Sequence, residues 1–330
     1  MSAGPTDDVE GDGVEEAAAP PLLDVPPEMA LDAAAEARRF LVKGAHANLW
    51  FEGQGPERGG ALVVSFDNLA TIDEGWPRGP RAWSRLGPLG HSVLGVQSHA
   101  KDWFRQPTAP ALIRGLEERG FFRRFDRVVL TGASMGGFAA LNFAPLIPEA
   151  RVLAFSPQST MNKVIAPFEQ RFPFAVKRSN WEGMPFLDAA AAVPYIRRAV
   201  VLYDPFVPED RAHAARLAGP NVQFLRAPFT THEAIRVVLK SGTLPLLIDG
   251  LVKGDTIGSD FWAGYRARRG VPKWQRALLA AAANRGRHAL ALLAAEGMLR
   301  LGADLPDDEK VFIRRARRAA ANAMKAAEAG

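Results

Sequence analysis

Short apolar runs alternate with amphipathic stretches between about residues 45 and 250. The run Ala61–Phe66 is almost continuously apolar, which is typical of a strand covered on both faces in a parallel sheet. The stretch Ala109–Arg119 instead repeats its large aliphatic residues at helical spacing. Strands that alternate with helices in this way predict an α/β fold with a mostly parallel sheet and helices on both faces.

The remaining strands and helices are predicted from the same two periods. Further strands are predicted at Asn48–Phe51, Ser92–Val96, Arg127–Leu130, Arg151–Phe155, Ala199–Tyr203 and Val222–Leu225. Further helices are predicted at Leu31–Lys43, Phe138–Leu146, Glu209–Leu217 and His232–Leu239. The alternation is interrupted between residues 156 and 197, where aromatic and proline residues are frequent and neither period is clear. We therefore expect an irregular insertion there.

The two ends of the chain differ from its middle. Met1–Glu28 carries eight acidic residues and no Lys or Arg, so residues 1–27 are expected to form a disordered acidic tail. Beyond about Gly270 the pattern is purely helical, with segments at Trp274–Ala283, His288–Leu301 and Asp307–Ala327. The expected organisation is this tail, an α/β domain over 28–267 and a C-terminal all-helical extension over 268–330.

The net charge of +5 is concentrated in that extension. Residues 268–330 hold 13 Lys/Arg against 6 Asp/Glu, whereas the rest of the chain holds 28 against 30. An α/β domain without excess positive charge gives no reason to expect a nucleic-acid partner. The run Arg314–Arg318 is interpreted as a solvated helix face. The extension is the expected surface for a homo-oligomer or a protein partner.

The absence of cysteine excludes disulfides, thiolate metal ligands and a cysteine nucleophile, and it fits a reducing compartment. The first residues have neither the basic start nor the apolar run of a secretory signal. The longest apolar runs, such as Ala277–Ala283, are far shorter than the roughly 18–20 residues that span a bilayer. We expect a cytoplasmic protein without a membrane span. No metal or other cofactor is expected, because no metal-binding, P-loop or dinucleotide-binding motif occurs.

The strongest chemical signal is Gly132-Ala133-Ser134-Met135-Gly136-Gly137, between an apolar strand and a helical pattern. In this setting Gly-x-Ser-x-Gly is the nucleophile elbow, a tight turn that lifts the serine hydroxyl clear of the sheet. Small flanking residues are needed because the backbone folds back on itself there. The sequence therefore predicts Ser134 as a nucleophile, with the Met135 N–H directed at the oxygen of the attacked carbonyl.

A serine hydroxyl needs a base, and a histidine is expected beyond an acid further along the chain. Of His213, His232 and His288, His232 is preferred because it follows the last predicted strand by a short loop. The acid is expected after the preceding strand, where Asp204 stands at the strand end and Asp210 opens the next helix. Asp204 is preferred, since an acid at a helix start has a second explanation in the helix dipole.

Together these features resemble the α/β-hydrolase superfamily. The resemblance covers about residues 45–250 and depends on the elbow within Val128–Leu141, on Asp204 in Asp-Pro-Phe-Val-Pro and on His232 in the final loop. It implies an α/β-hydrolase fold and catalysis through an acyl-enzyme on Ser134, with Asp204 orienting His232.

The resemblance also implies features around the nucleophile. A second oxyanion donor is expected from the loop after an early strand, first from Asn68 and then from Asp67, although the common His-Gly dipeptide is absent there. The insertion over residues 156–197 corresponds to the lid of the family. Gln158, Trp103 and Trp181 are the side chains expected at the substrate pocket.

The expected function is that of a serine hydrolase, esterase-like, which acts on an ester or acyl group of a small molecule or glycan. An acyltransferase or deacetylase acting on a glycan or metabolite would use the same residues. The alternative from another class is a non-catalytic hydrolase-fold scaffold that binds a partner through its basic helices. Truncation near Gly270 separates these classes, because an enzyme is expected to keep most of its chemistry.

Overall fold

The computed structural model describes residues 31–32, 37–54, 61–74, 78–183, 185–302 and 305–329. The predicted acidic tail over 1–27 lies outside the described residues. One sheet of eight strands, in the order β1-β2-β4-β3-β5-β6-β7-β8, forms the centre of the fold. Strands β1 to β8 are Arg39–Lys43, Ala47–Glu52, Leu62–Phe66, Ser92–Ser98, Val128–Ala133, Arg151–Phe155, Arg198–Tyr203 and Val222–Arg226.

The sheet is parallel from β4 to β8, whereas β1 and β2 join its edge as antiparallel strands. The predicted mostly parallel sheet with helices is thus confirmed. The α-helices α1 to α13 are Leu69–Ile72, Trp83–Leu86, Thr108–Glu118, Met135–Phe143, Pro173–Arg178, Ala189–Ala192, Pro208–Arg216, Ala234–Lys240, Leu244–Lys253, Ser259–Gly264, Pro272–Asn284, His288–Leu301 and Asp307–Ala329. Short 3₁₀ helices are Gly87–Leu89, Phe121–Arg124, Ala144–Leu146, Val193–Tyr195 and Tyr265–Gly270.

Successive strand residues supply two cores on opposite faces of the sheet. Val64 and Leu130 lie in the core that contains helix α4, whereas Val63 and Val129 lie in the core that contains helices α8 and α9. Burial on both faces explains why these strands appear as unbroken apolar runs. Removing a valine or leucine side chain from water stabilises the fold by about 1.5–3 kcal/mol, so these central strands hold the carboxyl ends of the sheet in place.

The helix predicted over Leu31–Lys43 is wrong in its second half. Residues 39–43 form strand β1, and Phe40, Leu41 and Val42 are all buried. Leu31 and Asp32 are helical, and residues 33–36 lie outside the described residues. Antiparallel pairing with β2, through a short turn at Gly44, outweighs the local helical preference. Helices α9 and α10 were not predicted.

The C-terminal helices pack behind the loop that carries His232. Trp274 donates its indole N–H to the carbonyl of Pro228 over 3.0 Å, and its ring lies edge-on to Phe229. Lys273 forms an ion pair with Glu233. The helical extension is therefore in direct contact with residues on both sides of the predicted base.

Candidate active site

Ser134 lies in the turn between β5 and α4, at the carboxyl edge of the sheet. Its φ is 54° and its ψ is −116°, a conformation that costs a non-glycine residue about 1–3 kcal/mol. The turn requires its glycines: a Cβ on Gly132 would stand 2.3 Å from the carbonyl of Gly136, and one on Gly136 would stand 2.6 Å from the Asp67 carbonyl oxygen. The strained strand–turn–helix expected of an elbow is present at these residues.

His232 lies within hydrogen-bond distance of that serine. Its Nε2 is 2.9 Å from the Ser134 Oγ, and its Nδ1 is 2.8 and 3.0 Å from the two carboxylate oxygens of Asp210. The imidazole is about a quarter exposed, whereas the Asp210 side chain is 1% exposed. With a proton on Nδ1 donated to Asp210, Nε2 is free to accept the serine proton.

The structure contradicts the choice of Asp204 as the acid. Its two carboxylate oxygens accept the backbone N–H groups of Phe206 and Thr231, over 2.9 and 2.8 Å. Burial raises the pKa of Asp204, although these N–H groups act in the opposite direction. Thr231 has a φ of 60°, so Asp204 fixes a strained residue directly before His232. Asp204 therefore supports the loop, and the carboxylate that meets His232 comes from the first turn of α7.

Gln158 lies against the nucleophile, and Trp103 contacts Gln158. The Gln158 side chain is completely buried, and its Nε2 lies 3.1 Å from the Ser134 Oγ. The Trp103 indole N–H donates to the Gln158 Oε1 over 3.1 Å. This bond orients the amide, because it leaves the Nε2 group to donate to the serine oxygen. Phe172 packs between Trp103 and His232.

Trp181, in contrast, does not belong to this pocket. Its indole N–H donates to the carbonyl of Ala175, and its ring packs edge-on to Phe138 and under the guanidinium of Arg105. It is 4% exposed and belongs to the core that joins the insertion to α4. The expectation that Trp181 lies at the substrate pocket is therefore wrong, because its side chain is buried in the interior.

The two loop amides predicted as oxyanion donors are both engaged. The Asp67 N–H donates to the Val96 carbonyl over 3.2 Å, and the Asn68 N–H donates to the Thr71 hydroxyl over 2.9 Å. Asn68 is the N-cap of α1, in a capping box with Thr71. The Asp67 carboxylate pairs with Arg78. Met135 opens α4, and its N–H therefore has no acceptor within the helix.

A cavity of about 380 Å³ lies beside the nucleophile turn, on the sheet face of α8 and α9. Gly132 and Asn68 form part of its wall. Its floor includes Ser65 and Thr131, which are cross-strand neighbours on β3 and β5. The cavity is of the size that binds small molecules, and its lining mixes apolar side chains such as Leu239 with polar ones such as Arg78 and Gln97.

Sequence reasoning missed Arg171, whose guanidinium donates to Asp210 over 2.8 Å. The same group binds the buried Glu169. The available signal was the pair of opposite charges in Glu169-Gln170-Arg171, within an insertion otherwise dominated by apolar and aromatic residues. Among the described residues, no group of three or more His, Asp or Glu side chains is arranged to hold a metal ion. No helix in the described ranges is both long and apolar enough to cross a membrane.

No protein-family model and no curated protein matches this sequence. Solved structures do match. The acylaminoacyl peptidase of Pyrococcus horikoshii is 13% identical with a TM-score of 0.48, and the match covers 69% of this chain but only 43% of the peptidase. Est1E from Butyrivibrio proteoclasticus is 14% identical with a TM-score of 0.41, covering 59% of this chain and 90% of Est1E.

XC6422 from Xanthomonas campestris, described as an α/β serine hydrolase without a lid, is 15% identical with a TM-score of 0.38, and the match covers 62% and 92% of the two chains. The fold of this chain follows from its own strand order and from the positions of three residues. Strands β3 to β8 are parallel, and the turn with Ser134 follows β5. Asp210 follows β7 and His232 follows β8. With this strand order and these three positions, the chain has the α/β-hydrolase fold.

Proposed function

We infer that this chain is a serine hydrolase that cleaves an ester or related acyl bond through an acyl-enzyme on Ser134. The observation that carries the proposal is the continuous hydrogen-bond series from Ser134 through His232 to Asp210, with distances of 2.9 and 2.8 Å. The strained conformation of Ser134 supports it, because strain of this kind persists where a turn must present a side chain.

In the first half of the reaction, the Ser134 Oγ attacks the substrate carbonyl while the His232 Nε2 accepts the hydroxyl proton. Asp210 accepts the Nδ1–H and stabilises the imidazolium that results. The Met135 N–H stabilises the oxyanion of the tetrahedral intermediate. When the carbon–oxygen bond to the leaving group breaks, the Nε2 proton passes to that group, and the acyl group stays on Ser134.

In the second half, water takes the place of the leaving group. His232 accepts a proton from the water as its oxygen attacks the acyl carbon, and then returns the proton to the Ser134 Oγ as the acid product leaves. A second oxyanion donor is needed in both halves. We assign it to Leu69 N–H, because Leu69 opens α1 and the two preceding amides already donate to the Val96 carbonyl and the Thr71 hydroxyl.

The test is labelling of the purified protein with a fluorophosphonate, which reacts with activated serines, together with hydrolysis of p-nitrophenyl acetate. Ser134→Ala and His232→Ala are expected to abolish labelling and to lower kcat/KM by about 10⁴-fold. His288→Ala is the matched control, because His288 opens helix α12 in the extension. A folded wild type that neither labels nor hydrolyses the ester would overturn the proposal and favour the scaffold alternative.

A further inference from the structure

A chain of charged side chains continues from Asp210 into the insertion. Arg171 Nη1 donates to Asp210, and Arg171 Nη2 donates to Glu169 over 2.5 Å. The same Glu169 oxygen, Oε2, also accepts the Nε2–H of His213 over 3.1 Å. The His213 Nδ1 in turn accepts the Ser159 backbone N–H over 3.1 Å and lies 2.9 Å from its hydroxyl.

Ser159, His213 and Glu169 repeat the residue types of a catalytic triad, but they do not form a second active site. All three side chains are at most 1% exposed. The Nδ1 of His213 is occupied as an acceptor by a backbone N–H, so the proton of the neutral ring sits on Nε2. Burial lowers the pKa of His213, against the effect of Glu169. The trio is thus a fixed, neutral-imidazole anchor for the Glu169 carboxylate.

Glu169 and Asp210 are two buried carboxylates that share one cation. Burial raises the pKa of Glu169, but its bonds to His213 and Arg171 outweigh burial and bring it down to about 2. Burial acts against the charge on Arg171, and the two carboxylates more than compensate, so its pKa is raised. A buried charge that loses its partner is strongly unfavourable, so the three groups hold one another in a single arrangement.

We propose that Arg171 is a positioning residue for the hydrolase: held by Glu169, it fixes the Asp210 carboxylate under His232 and places its own positive charge beside that ring. Arg171 Nη1 lies 3.3 Å from the His232 Nδ1, so protonation of His232 would place two cations side by side. This inference rests on the proposed function. It gives the insertion the role of positioning a catalytic side chain.

The other charged groups around His232 are accounted for. Asp210 contacts the ring, Asp204 accepts the N–H of the preceding Thr231, and Glu233 is next along the chain. Glu233 forms ion pairs with both Lys273 and Arg236. Among the described residues, Arg171 is the cation that comes within hydrogen-bond distance of the ring, and its charge is opposite to that of these carboxylates.

The experiment compares Arg171→Met and Arg171→Lys by NMR titration of the His232 ring and by the pH dependence of kcat/KM. Loss of the cation in Arg171→Met is expected to raise the titration midpoint of His232 and the acid limb of activity by about 1 pH unit or more. It is also expected to lower kcat by about 10–100-fold through misplacement of Asp210, with little change in KM. Arg171→Lys should restore the midpoint but not the full kcat, because an ammonium cannot hold both carboxylates in a fork.

Arg105→Met is the matched control, since Arg105 ties the insertion together through the carbonyls of Asn180, Gly183 and Pro185. It should leave the His232 midpoint unchanged. If Arg171→Met does not fold, the double variant Glu169→Gln/Arg171→Met removes one carboxylate with the cation and is expected to show the same upward shift.

An unchanged midpoint in a folded variant without Arg171 would overturn the inference while leaving the hydrolase proposal intact. A wild type without esterase activity or fluorophosphonate labelling would instead remove the proposed function, and the positioning role with it. The NMR midpoint does not depend on activity and therefore separates the two failures.

Discussion

The insertion over residues 156–197 and the helical extension over residues 268–330 lie at opposite extremes of regularity. The insertion has little periodic structure, yet it brings Gln158 and Arg171 to the nucleophile, the acid and the base. The extension consists of three well-formed helices, and in the described part of the chain it contacts the histidine loop from behind, through Trp274 and Lys273. The few buried, paired charges of the insertion therefore contact the site more directly than the many exposed basic residues of the extension.

The physical reason is the cost of burying charge. Glu169 is 1% exposed, and it is tolerated only because His213 and Arg171 satisfy it. Exposed basic residues of the extension need no such partners and impose no geometry. Three predictions test the contrast between the two regions.

The largest expected effect concerns the acid that the insertion holds. Asp210→Asn should lower kcat/KM for an activated ester by about 10³–10⁴-fold, because the imidazole loses the carboxylate that fixes its tautomer. Asp204→Asn should cost less than about 100-fold, since it weakens bonds to two backbone N–H groups of the loop. Steady-state kinetics on both variants, with melting curves, give the comparison. Equal losses would show that the first turn of α7 is not the source of the acid.

The next prediction tests whether the extension stabilises the fold or takes part in catalysis. Trp274 is 8% exposed, so Trp274→Ala should lower the free energy of unfolding by about 3–5 kcal/mol. Its effect on kcat should be smaller than that of Asp210→Asn. The control is Trp262→Ala, because Trp262 is 39% exposed and should cost about 1 kcal/mol or less. Urea unfolding and esterase assays check both numbers, and a kcat loss as large as that of Asp210→Asn would put the extension inside the catalytic machinery.

The smallest effect is a pH dependence that belongs to the insertion. The folded state holds the pKa of Glu169 at about 2, below its ordinary value of 4.5. Its contribution to stability is therefore complete above about pH 4.5 and is lost as the pH falls towards 2. The contribution is about 3 kcal/mol at most.

The Glu169→Gln variant should accordingly have a lower free energy of unfolding than the wild type at neutral pH. Its free energy of unfolding should also change less with pH between 4.5 and 2. Glu149→Gln is the control, because Glu149 forms an exposed pair with Arg197. Unfolding free energies at several pH values decide the matter. Identical slopes in the wild type and Glu169→Gln would mean that Glu169 is not held as a buried anion.

What the sequence could predict was local, and what it could not predict depended on packing. The apolar runs gave the parallel strands, and a strand followed by Gly-x-Ser-x-Gly gave the turn at Ser134. His232 followed from its place after the last strand. These positions depend on a few neighbouring residues and on the general rule that sites lie at the carboxyl edge of such sheets.

The misses involve partners that the local pattern does not specify. Asp204 and Asp210 both follow β7, and only the packing of α7 against the insertion decides which one meets His232. Strand β1 exists because β2 pairs with it. Asn68 was an oxyanion candidate by position, but its N–H is committed to the capping box that starts α1. In each case another residue or strand forms the bond that decides the outcome, and the motif used for the prediction says nothing about that bond.

The bond between Trp274 and Pro228 has a consequence for the order in which the protein becomes functional. A chain emerging from the ribosome exposes Ser134, Asp210 and His232 well before Trp274, and domains fold progressively during synthesis. The sheet and the serine turn can form at that stage, while the loop with His232 still lacks its backing. We expect the histidine loop to be the last part of the site to become rigid, so that a nascent chain carries its nucleophile for a time without a fully seated base.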